Sequence, residues 1–369
     1  MGFSGGYEPD DVVFLLKKIN MEPTPLAERE RRIQTGAAHY SEMIGSEAAP
    51  SARYMDVFHQ AVNNNGATMA GHLAALAAII AAGRAGPLTL VSLARAGTPV
   101  GVLLKRVLER YFQRTARHYS ISIIRDRGLD ENALDHILEK EGRADSSVIF
   151  VDGWTGKGVI SRELDMAVER YNRSRKVRLS PELYVLTDLC GEAGTAPSCE
   201  DFLIPSSILN SIVSGLVSRT ILNQAYLEPG DFHGCLYYDH LEPLDLSRWF
   251  VERIMAEVER LDSLSPITKL PASPLSPARR ERLRQDSRAF VDRLAGARGQ
   301  ADVNHIKPGI GEATRVLLRR VPDALYLKNP GATDVRHLEI LAEEKKVPVI
   351  CDPHLPYQAA ATIKNVDNA

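Results

Sequence analysis

Residues 148–161 read VIFVDGWTGKGVIS and join an apolar strand to the start of a helix. The strand ends on Asp152, and the turn after it consists of Thr155, Gly156, Lys157 and Gly158. Backbone amides, a hydroxyl group and the positive end of a helix dipole together can hold a phosphate. Asp152 would repel that phosphate, so we expect it to bind the hydroxyls of an attached sugar or Mg²⁺. The alternative is a tight strand-to-helix turn without a ligand.

Strands alternate with helices on both sides of this stretch. Short apolar runs at 88–94, 119–126 and 183–189 predict buried strands, and the segments between them have helical periodicity. The order predicts an α/β fold with an open, mostly parallel sheet and helices on both faces.

The predicted domain organisation has four regions. Residues 1–60 are predicted to be a helical extension packed on the core, with a helix in DDVVFLLKKI (10–19). The other three are the main α/β domain (61–260), a Pro/Ser-rich linker with a basic helix (261–298) and a small α/β domain (299–369). The last region reads as helix, strand, helix, strand.

Composition restricts the function classes. The 369 residues carry a formal net charge of -2, with 44% hydrophobic and 25% charged residues, so bulk charge does not indicate nucleic-acid binding. The four cysteines form no Cys-x-x-Cys pair, which predicts reduced thiols in a cytoplasmic protein. The start of the chain lacks the basic region of a signal peptide. Residues 67–83 predict a buried helix and no membrane span.

A second polar loop, SLARAGTP (92–99), also follows a predicted strand. Arg95 offers a fork of donors, and Gly97 lets backbone amides approach an anion. Ligands of open parallel sheets bind beyond the carboxyl ends of the strands, so both loops should face one ligand. A ribose with a phosphate at one end and a pyrophosphate at the other fits, which predicts phosphoribosyl pyrophosphate. A nucleotide P-loop is excluded by the spacing and by Gly158, where Ser or Thr is required.

Longer motifs cover nearly the whole chain. They are FSGGYEPDDVVFLLKKI, HYSEMI, SLARAGTPVG, HYSISIIRDRG, VDGWTGKG, EDFLIPSSILNSIVSGLVSRT and FHG. With these motifs the chain resembles a bacterial family of phosphoribosyltransferase-like proteins from tellurium-resistance and stress operons. That family carries a C-terminal pelota-type RNA-binding domain and is also labelled cysteine protease, StiP. The resemblance implies a type I phosphoribosyltransferase-like fold for the main domain.

The resemblance also implies residue roles. Arg95 and Asp152 would be catalytic, with Asp152 on the ribose hydroxyls. Thr155, Gly156, Lys157, Gly158 and Ser161 would hold the 5′-phosphate, and Ala94, Ala96, Gly97 and Thr98 the pyrophosphate. Mg²⁺ would bind through the substrate phosphates, with no metal site on the protein itself. In the broad phosphoribosyltransferase superfamily two adjacent acids usually end this strand, and this chain has Gly153 in place of the second.

Two further strand ends could contact the substrate. Arg125 could reach the pyrophosphate or the acceptor, or form a surface ion pair. Asp188 could contact the acceptor or cap a turn, and Asp201 and Ser206 have the same two interpretations.

The predicted activity is therefore transfer of a phosphoribosyl group to a base-like acceptor in a stress-linked ribonucleoside pathway. One alternative is a non-catalytic RNA-binding regulator with a nucleotide-sensing domain. The other is a cysteine protease or thiol hydrolase, for which His233 and Cys235 are the nearest thiol and imidazole in sequence.

The C-terminal stretch GIGEATRVLLRR resembles the start of the RNA-binding helix in pelota and kink-turn-binding proteins. The resemblance implies RNA contacts from Lys307, Gly309, Gly311, Glu312, Thr314 and Arg315. The alternative is a small domain that docks on the first or mediates homodimers.

Overall fold

The computed structural model describes residues 2–298 and 303–364. The α-helices are α1 Leu26–Gln34, α2 Ala52–Gly83, α3 Thr98–Phe112, α4 Glu131–Asp135, α5 Val159–Arg175, α6 Ser247–Leu264, α7 Pro277–Arg298, α8 Ile310–Arg319 and α9 Arg336–Glu344. The strands are β1 Val13–Phe14, β2 Lys17–Lys18, β3 Leu88–Leu93, β4 Ala116–Ile121, β5 Ile123–Ile124, β6 Gly128–Leu129, β7 Val148–Thr155, β8 Leu183–Asp188, β9 Gly234–Cys235, β10 Ile306–Pro308, β11 Pro322–Leu327, β12 Val349–Cys351 and β13 Ala359–Ile363. We call the part through α6 the large domain and the part from β10 the C-terminal domain.

The large domain contains a five-stranded sheet in the order β1-β4-β3-β7-β8, and every neighbouring pair is parallel. Both faces are covered by helices. Leu90 of β3 packs in the core with α2, α3 and α6, whereas Val91 packs in the core with α4 and α5. Burial on both faces explains why the strands are continuous apolar runs. The predicted α/β class with a mostly parallel sheet is confirmed.

The predicted helix at residues 10–19 is wrong. Val13 and Phe14 form β1, which pairs with β4 at the edge of the sheet. Phe14 and Leu16 enter one core, and Leu15 between them enters the other. A strand buried on both faces has no polar alternation, so its sequence resembles that of a helix.

Helix α2 is longer than the apolar stretch that predicted it. It has 32 residues and, by length and composition, is the one helix of the described residues that could cross a membrane. Its buried side chains, among them Phe58, Met69 and Leu73, belong to the main core together with α3 and α6. The prediction of a buried helix at residues 67–83 is therefore confirmed.

The C-terminal domain has a four-stranded sheet in the order β10-β13-β11-β12. β13 pairs antiparallel with both β10 and β11, and β11 pairs parallel with β12. The predicted order of helix, strand, helix, strand lacked β10 and the central strand β13. β13 reads AAATI, and alanine is a weak strand signal, so only its tertiary position makes it a strand.

Helix α7 connects the two domains and contacts both. Near its start, Arg280 donates to the carbonyl groups of Ala193 and Gly194 at 3.0 and 2.6 Å. Further along, Phe290 and Leu294 are buried in the core of the C-terminal domain. The helix therefore fixes the distance between the domains.

Candidate functional site

The loop after β7 is the centre of the predicted site. β7 continues through Thr155, three residues beyond the predicted strand end at Asp152. Asp152 Oδ1 accepts a hydrogen bond of 2.8 Å from the amide of Gly153. Gly158 has a φ of 70°, in the left-handed region that favours glycine, and serves as the N-cap of α5. The loop therefore does join a strand to a helix N-terminus, as predicted.

Asp188 is a structural cap. Its carboxylate accepts hydrogen bonds from Thr155 Oγ1 and from the amides of the four residues Cys190, Gly191, Glu192 and Ala193. Asp188 is fully buried. Because both carboxylate oxygens are occupied within the protein, the geometry agrees with the capping interpretation and not with an acceptor contact.

Part of the backbone of the SLARAGTP loop is already hydrogen-bonded inside the protein. The amide of Gly97 donates to Leu93 O at 3.0 Å, and that of Thr98 donates to Arg95 O at 3.1 Å. The Thr98 hydroxyl pairs with Ser120 at 2.8 Å and is buried. The predicted pyrophosphate contacts at Ala94, Ala96, Gly97 and Thr98 do not line the main cavity described below.

The Arg95 guanidinium is engaged inside the protein. It donates to Val217 O at 2.6 Å and to Glu47 Oε1 at 2.5 Å. Only 7% of Arg95 is exposed. Burial would raise the pKa of Glu47, but the charge and hydrogen bond of Arg95 hold it below its ordinary value. The buried ion pair explains why Arg95 does not extend toward a ligand.

A cavity of about 1210 Å³ lies between the two domains. Its wall comes from the loop after β7, from the segment that precedes α2 and from the C-terminal domain around α8. The predicted site residues that line it are Arg95, Arg125, Asp152, Thr155, Gly156, Lys157, Gly158, Ser161, Lys307, Glu312 and Arg315. The structure therefore brings the β7 loop together with part of the predicted RNA-binding set.

The predicted RNA-binding loop faces the large domain. A Cβ atom at Gly311 would lie 2.5 Å from the Trp154 ring, and one at Gly309 would lie 2.7 Å from Leu189. The Arg315 guanidinium lies 4.5 Å from the centroid of the Trp154 ring. Thr314 is buried, and its hydroxyl bonds Ile310 O and His337. The geometry thus agrees with the alternative of a domain that docks on the first.

Asp201 stabilises the contact between the C-terminal domain and the large domain. Its two carboxylate oxygens accept hydrogen bonds from the amide of Ile310 at 3.0 Å and from that of Gln358 at 2.8 Å. Burial raises the pKa of Asp201 to about 6, although the backbone amides oppose the shift. One carboxylate of the large domain thus satisfies two amides of the C-terminal domain.

The four cysteines lie in the described ranges, and none is hydrogen-bonded to a histidine there. Cys235 is fully buried in the main core, and burial raises the pKa of its thiol to about 12. His233 bonds Ser122 Oγ at 2.8 Å instead. The sequence neighbours His233 and Cys235 therefore do not form a catalytic pair.

Cys199 has a different environment. It is partly exposed, and Nη2 and Nε of Arg279 lie 3.3 and 3.4 Å from its Sγ atom. Cys190 is buried, and burial raises the pKa of its thiol to about 12. Cys351 is exposed on β12. Within residues 2–298 and 303–364, no group of three or more His, Cys, Asp or Glu side chains could hold a metal ion.

Asp152 is the cavity carboxylate whose titration should be measurable. Burial raises its pKa to about 6, against the opposing effect of Arg315. A carboxyl group with a raised native pKa destabilises the fold as the pH rises from 3.8 towards 6. We expect Asp152→Asn to increase the free energy of unfolding by about 1–2 kcal/mol at pH 8, and by less than half as much at pH 4.5. Urea unfolding at both pH values measures this.

The exposed Asp10→Asn is the matched control for this change and should alter neither value. An equal gain from Asp152→Asn at both pH values would contradict the raised pKa.

Comparison with known proteins adds the family. Residues 5–255 match the family described as tellurite-like stress resistance cysteine protease StiP. The chain belongs to the StiP family. A protein of Acinetobacter baylyi named cysteine protease StiP is 40% identical over 380 residues, covering 99% of this chain and 95% of the relative. Residues 285–365 match the PELOTA RNA binding domain, so the pelota-like prediction for the C-terminal region is confirmed.

Membership in the StiP family overturns the predicted activity. The prediction of a phosphoribosyltransferase is wrong, because the family and the relative carry the name of a cysteine protease. The predicted phosphoribosyl pyrophosphate and base-like acceptor find no support in these comparisons, and Mg²⁺ stays a prediction that they do not test. The resemblance to the stress-resistance family itself is confirmed.

Several residues of the site carry no signal in the sequence. Glu47 and Arg29 line the cavity and lie outside every quoted motif. Arg219 and Arg319 also line it, but the motifs that contain them, EDFLIPSSILNSIVSGLVSRT and GIGEATRVLLRR, did not predict this position for them. The positive charge beside the Cys199 thiol likewise comes from Arg279, which is eighty residues away in the chain. Only the fold brings these side chains together.

Proposed function

We propose that the protein is a cysteine-dependent peptidase. The observation that carries this proposal is the match of residues 5–255 to the StiP family, together with the named relative of nearly equal length. A cysteine peptidase uses a thiolate that attacks the peptide carbonyl carbon and expels the amine, and water then hydrolyses the acyl-enzyme.

Cys199 is the thiol that we assign as the nucleophile. A reactive cysteine is partly exposed and lies beside a positive charge, because the thiolate is the attacking form. Cys199 meets both conditions through Arg279. The buried Cys190 and Cys235 do not, since their raised pKa values keep both thiols protonated at neutral pH.

Fluorescein-labelled casein, a general peptidase substrate, provides the test. We expect Cys199→Ala to reduce cleavage by about 100-fold or more, because it removes the thiol that we assign to form the acyl-enzyme. Arg279→Met should reduce the rate about tenfold, and Arg279→Lys should recover part of it. Iodoacetamide should label Cys199 in the wild type faster than in the Arg279→Met variant.

Cys351→Ala, which removes an exposed thiol, is the matched control and should keep full activity. Unchanged cleavage by Cys199→Ala would overturn the assignment of the nucleophile. Cleavage that survives replacement of all four cysteines would overturn the peptidase proposal itself.

RNA binding is a second candidate function. It is favoured by the match of residues 285–365 to the PELOTA RNA binding domain. Because the glycine loop at residues 309–311 packs on the large domain, RNA that uses this loop requires the domains to separate first. The Discussion gives the corresponding experiment.

A further inference from the structure

A second, smaller cavity lies where α5, the start of β8 and the first turns of α7 meet. Its volume is about 250 Å³. The charged side chains in its wall are Asp165, Glu182, Glu192, Arg280 and Arg284. We call it the α7 cavity. Asp165 and Arg280 are absent from the wall of the large interdomain cavity, so the α7 cavity has charged groups of its own.

Three of these five charges already have partners inside the protein. Glu182 accepts from the Thr195 hydroxyl at 2.5 Å through one carboxylate oxygen and from the Tyr184 hydroxyl at 2.9 Å through the other. Glu192 forms an ion pair with Arg284, with 3.7 Å between Oε2 and Nε. The two charges that remain are those of Arg280 and Asp165.

Arg280 is the cation of this wall that has only neutral acceptors. Its Nη1 atom donates to two carbonyl oxygens, those of Ala193 and Gly194, at 3.0 and 2.6 Å. Its Nε atom is buried and has no hydrogen-bond acceptor among the described residues. A buried donor of a charged group is costly to leave unsatisfied. The edge of the guanidinium formed by Nε and Nη2 is therefore available, and it matches the two oxygens of a carboxylate.

Asp165 is the anion of this wall that lacks a counterion. It is exposed on α5, and within residues 2–298 and 303–364 its carboxylate forms no ion pair. Partial burial raises its pKa, and the negative charge of Glu192 raises it further, against the opposing effect of Arg162. A positive group beside Asp165 would relieve this repulsion. The wall therefore offers one position for a positive group and one for a negative group.

We propose that the α7 cavity binds a free α-amino acid with a small side chain. The ligand carboxylate accepts hydrogen bonds from Nε and Nη2 of Arg280, and the ligand ammonium group lies against Asp165. An α-amino acid carries both charges close together, and the volume of about 250 Å³ limits the size of its side chain. A ligand with negative groups alone is disfavoured, because the wall has three carboxylates and two arginines.

The bound ligand would also connect two elements. Arg280 belongs to α7 and Asp165 belongs to α5, so a molecule held by both stabilises the attachment of α7 to the large domain. Amino acids are end products of peptide hydrolysis, but the binding site does not depend on the peptidase proposal.

Calorimetry of the full chain with glycine, L-alanine and L-serine as probes tests the proposal. We expect at least one of the three to bind once per chain and to raise Tm at saturation. Its N-acetyl derivative lacks the ammonium group, and its amide lacks the carboxylate. Each derivative should therefore bind at least about tenfold more weakly than the free amino acid.

Two variants test the assigned side chains. Asp165→Asn should weaken binding at least about tenfold, because it removes the charge that faces the ammonium group. Arg280→Lys keeps the positive charge but loses the planar fork, and it should weaken binding by a similar factor. Glu169→Gln is the matched control on α5. It breaks an exposed ion pair with Arg173 and should bind as the wild type does.

Asp165→Asn keeps the test decisive if Arg280→Lys fails to fold, since Asp165 is exposed. Three outcomes would overturn the proposal: binding of none of the three amino acids, equal binding of the acetylated and amide derivatives, or unchanged binding by Asp165→Asn. Because these measurements use no peptide substrate, the binding proposal and the peptidase proposal can fail separately.

Discussion

Glu47→Gln is expected to lower the free energy of unfolding by about 3 kcal/mol, because it leaves the buried Arg95 without a negative partner. Glu47 accepts from Arg95 through one oxygen and from the amide of Ser211, at 3.2 Å, through the other. Glutamine keeps the shape and one acceptor but removes the charge. Arg219 and Arg319 lie close by and are themselves cations, so they offer no compensation. Urea unfolding at neutral pH measures the loss.

A double variant separates the charge effect from a packing effect. Adding Arg95→Met to Glu47→Gln removes the unpaired cation and should recover at least half of the lost stability. Glu8→Gln, which breaks an exposed ion pair with Arg248, should cost less than about 1 kcal/mol. A loss below 1 kcal/mol for Glu47→Gln would contradict the importance of this pair.

Asp201→Ala is expected to weaken the contact between the two domains. The change leaves the amides of Ile310 and Gln358 without their acceptor, at a cost of about 2–4 kcal/mol for the pair. Once α8 is released, the loop at Gly309 and Gly311 is uncovered. We therefore expect amide hydrogen exchange in α8 to accelerate and RNA affinity to rise. Gel shift with a structured RNA at low salt measures the second effect.

Asp201→Asn is the graded control. Asparagine keeps one acceptor oxygen, so the change in hydrogen exchange should fall between the wild type and alanine. Faster exchange without any RNA binding at low salt would remove the RNA-binding candidate and keep the structural role of Asp201. Unchanged exchange in both variants would show that this carboxylate does not hold the domains together.

The parts of the fold that the sequence predicted are those with local signals. β3, β7 and β8 are apolar runs bounded by turn residues, and α3 and α5 have clear helical periodicity. β1 was missed because both of its faces are buried, and β13 because alanine does not favour strands. A local sequence pattern predicts a helix or strand well only when tertiary contacts do not decide the conformation of that segment.

The site was harder to predict than the fold. The β7 loop resembles a phosphate loop in sequence, but sequence does not show that the amides of Gly97 and Thr98, after β3, are already bonded to Leu93 and Arg95. Arg29 and Arg319 are 290 residues apart, yet they meet in one cavity. No spacing rule connects such positions. The loops were recognised from the sequence but their surroundings were not, and the family comparison is what overturned the predicted transferase.

Helix α7 has a consequence for how the chain can change in evolution. Its start is fastened to the large domain through Arg280, and its second half through Phe290 and Leu294 to the C-terminal core. One inserted residue between these attachments would turn the far half by about 100° and advance it by about 1.5 Å. Phe290 and Leu294 would then point away from their core. A surface loop tolerates such an insertion. In α7, by contrast, the number of residues between Arg280 and Phe290 must stay constant.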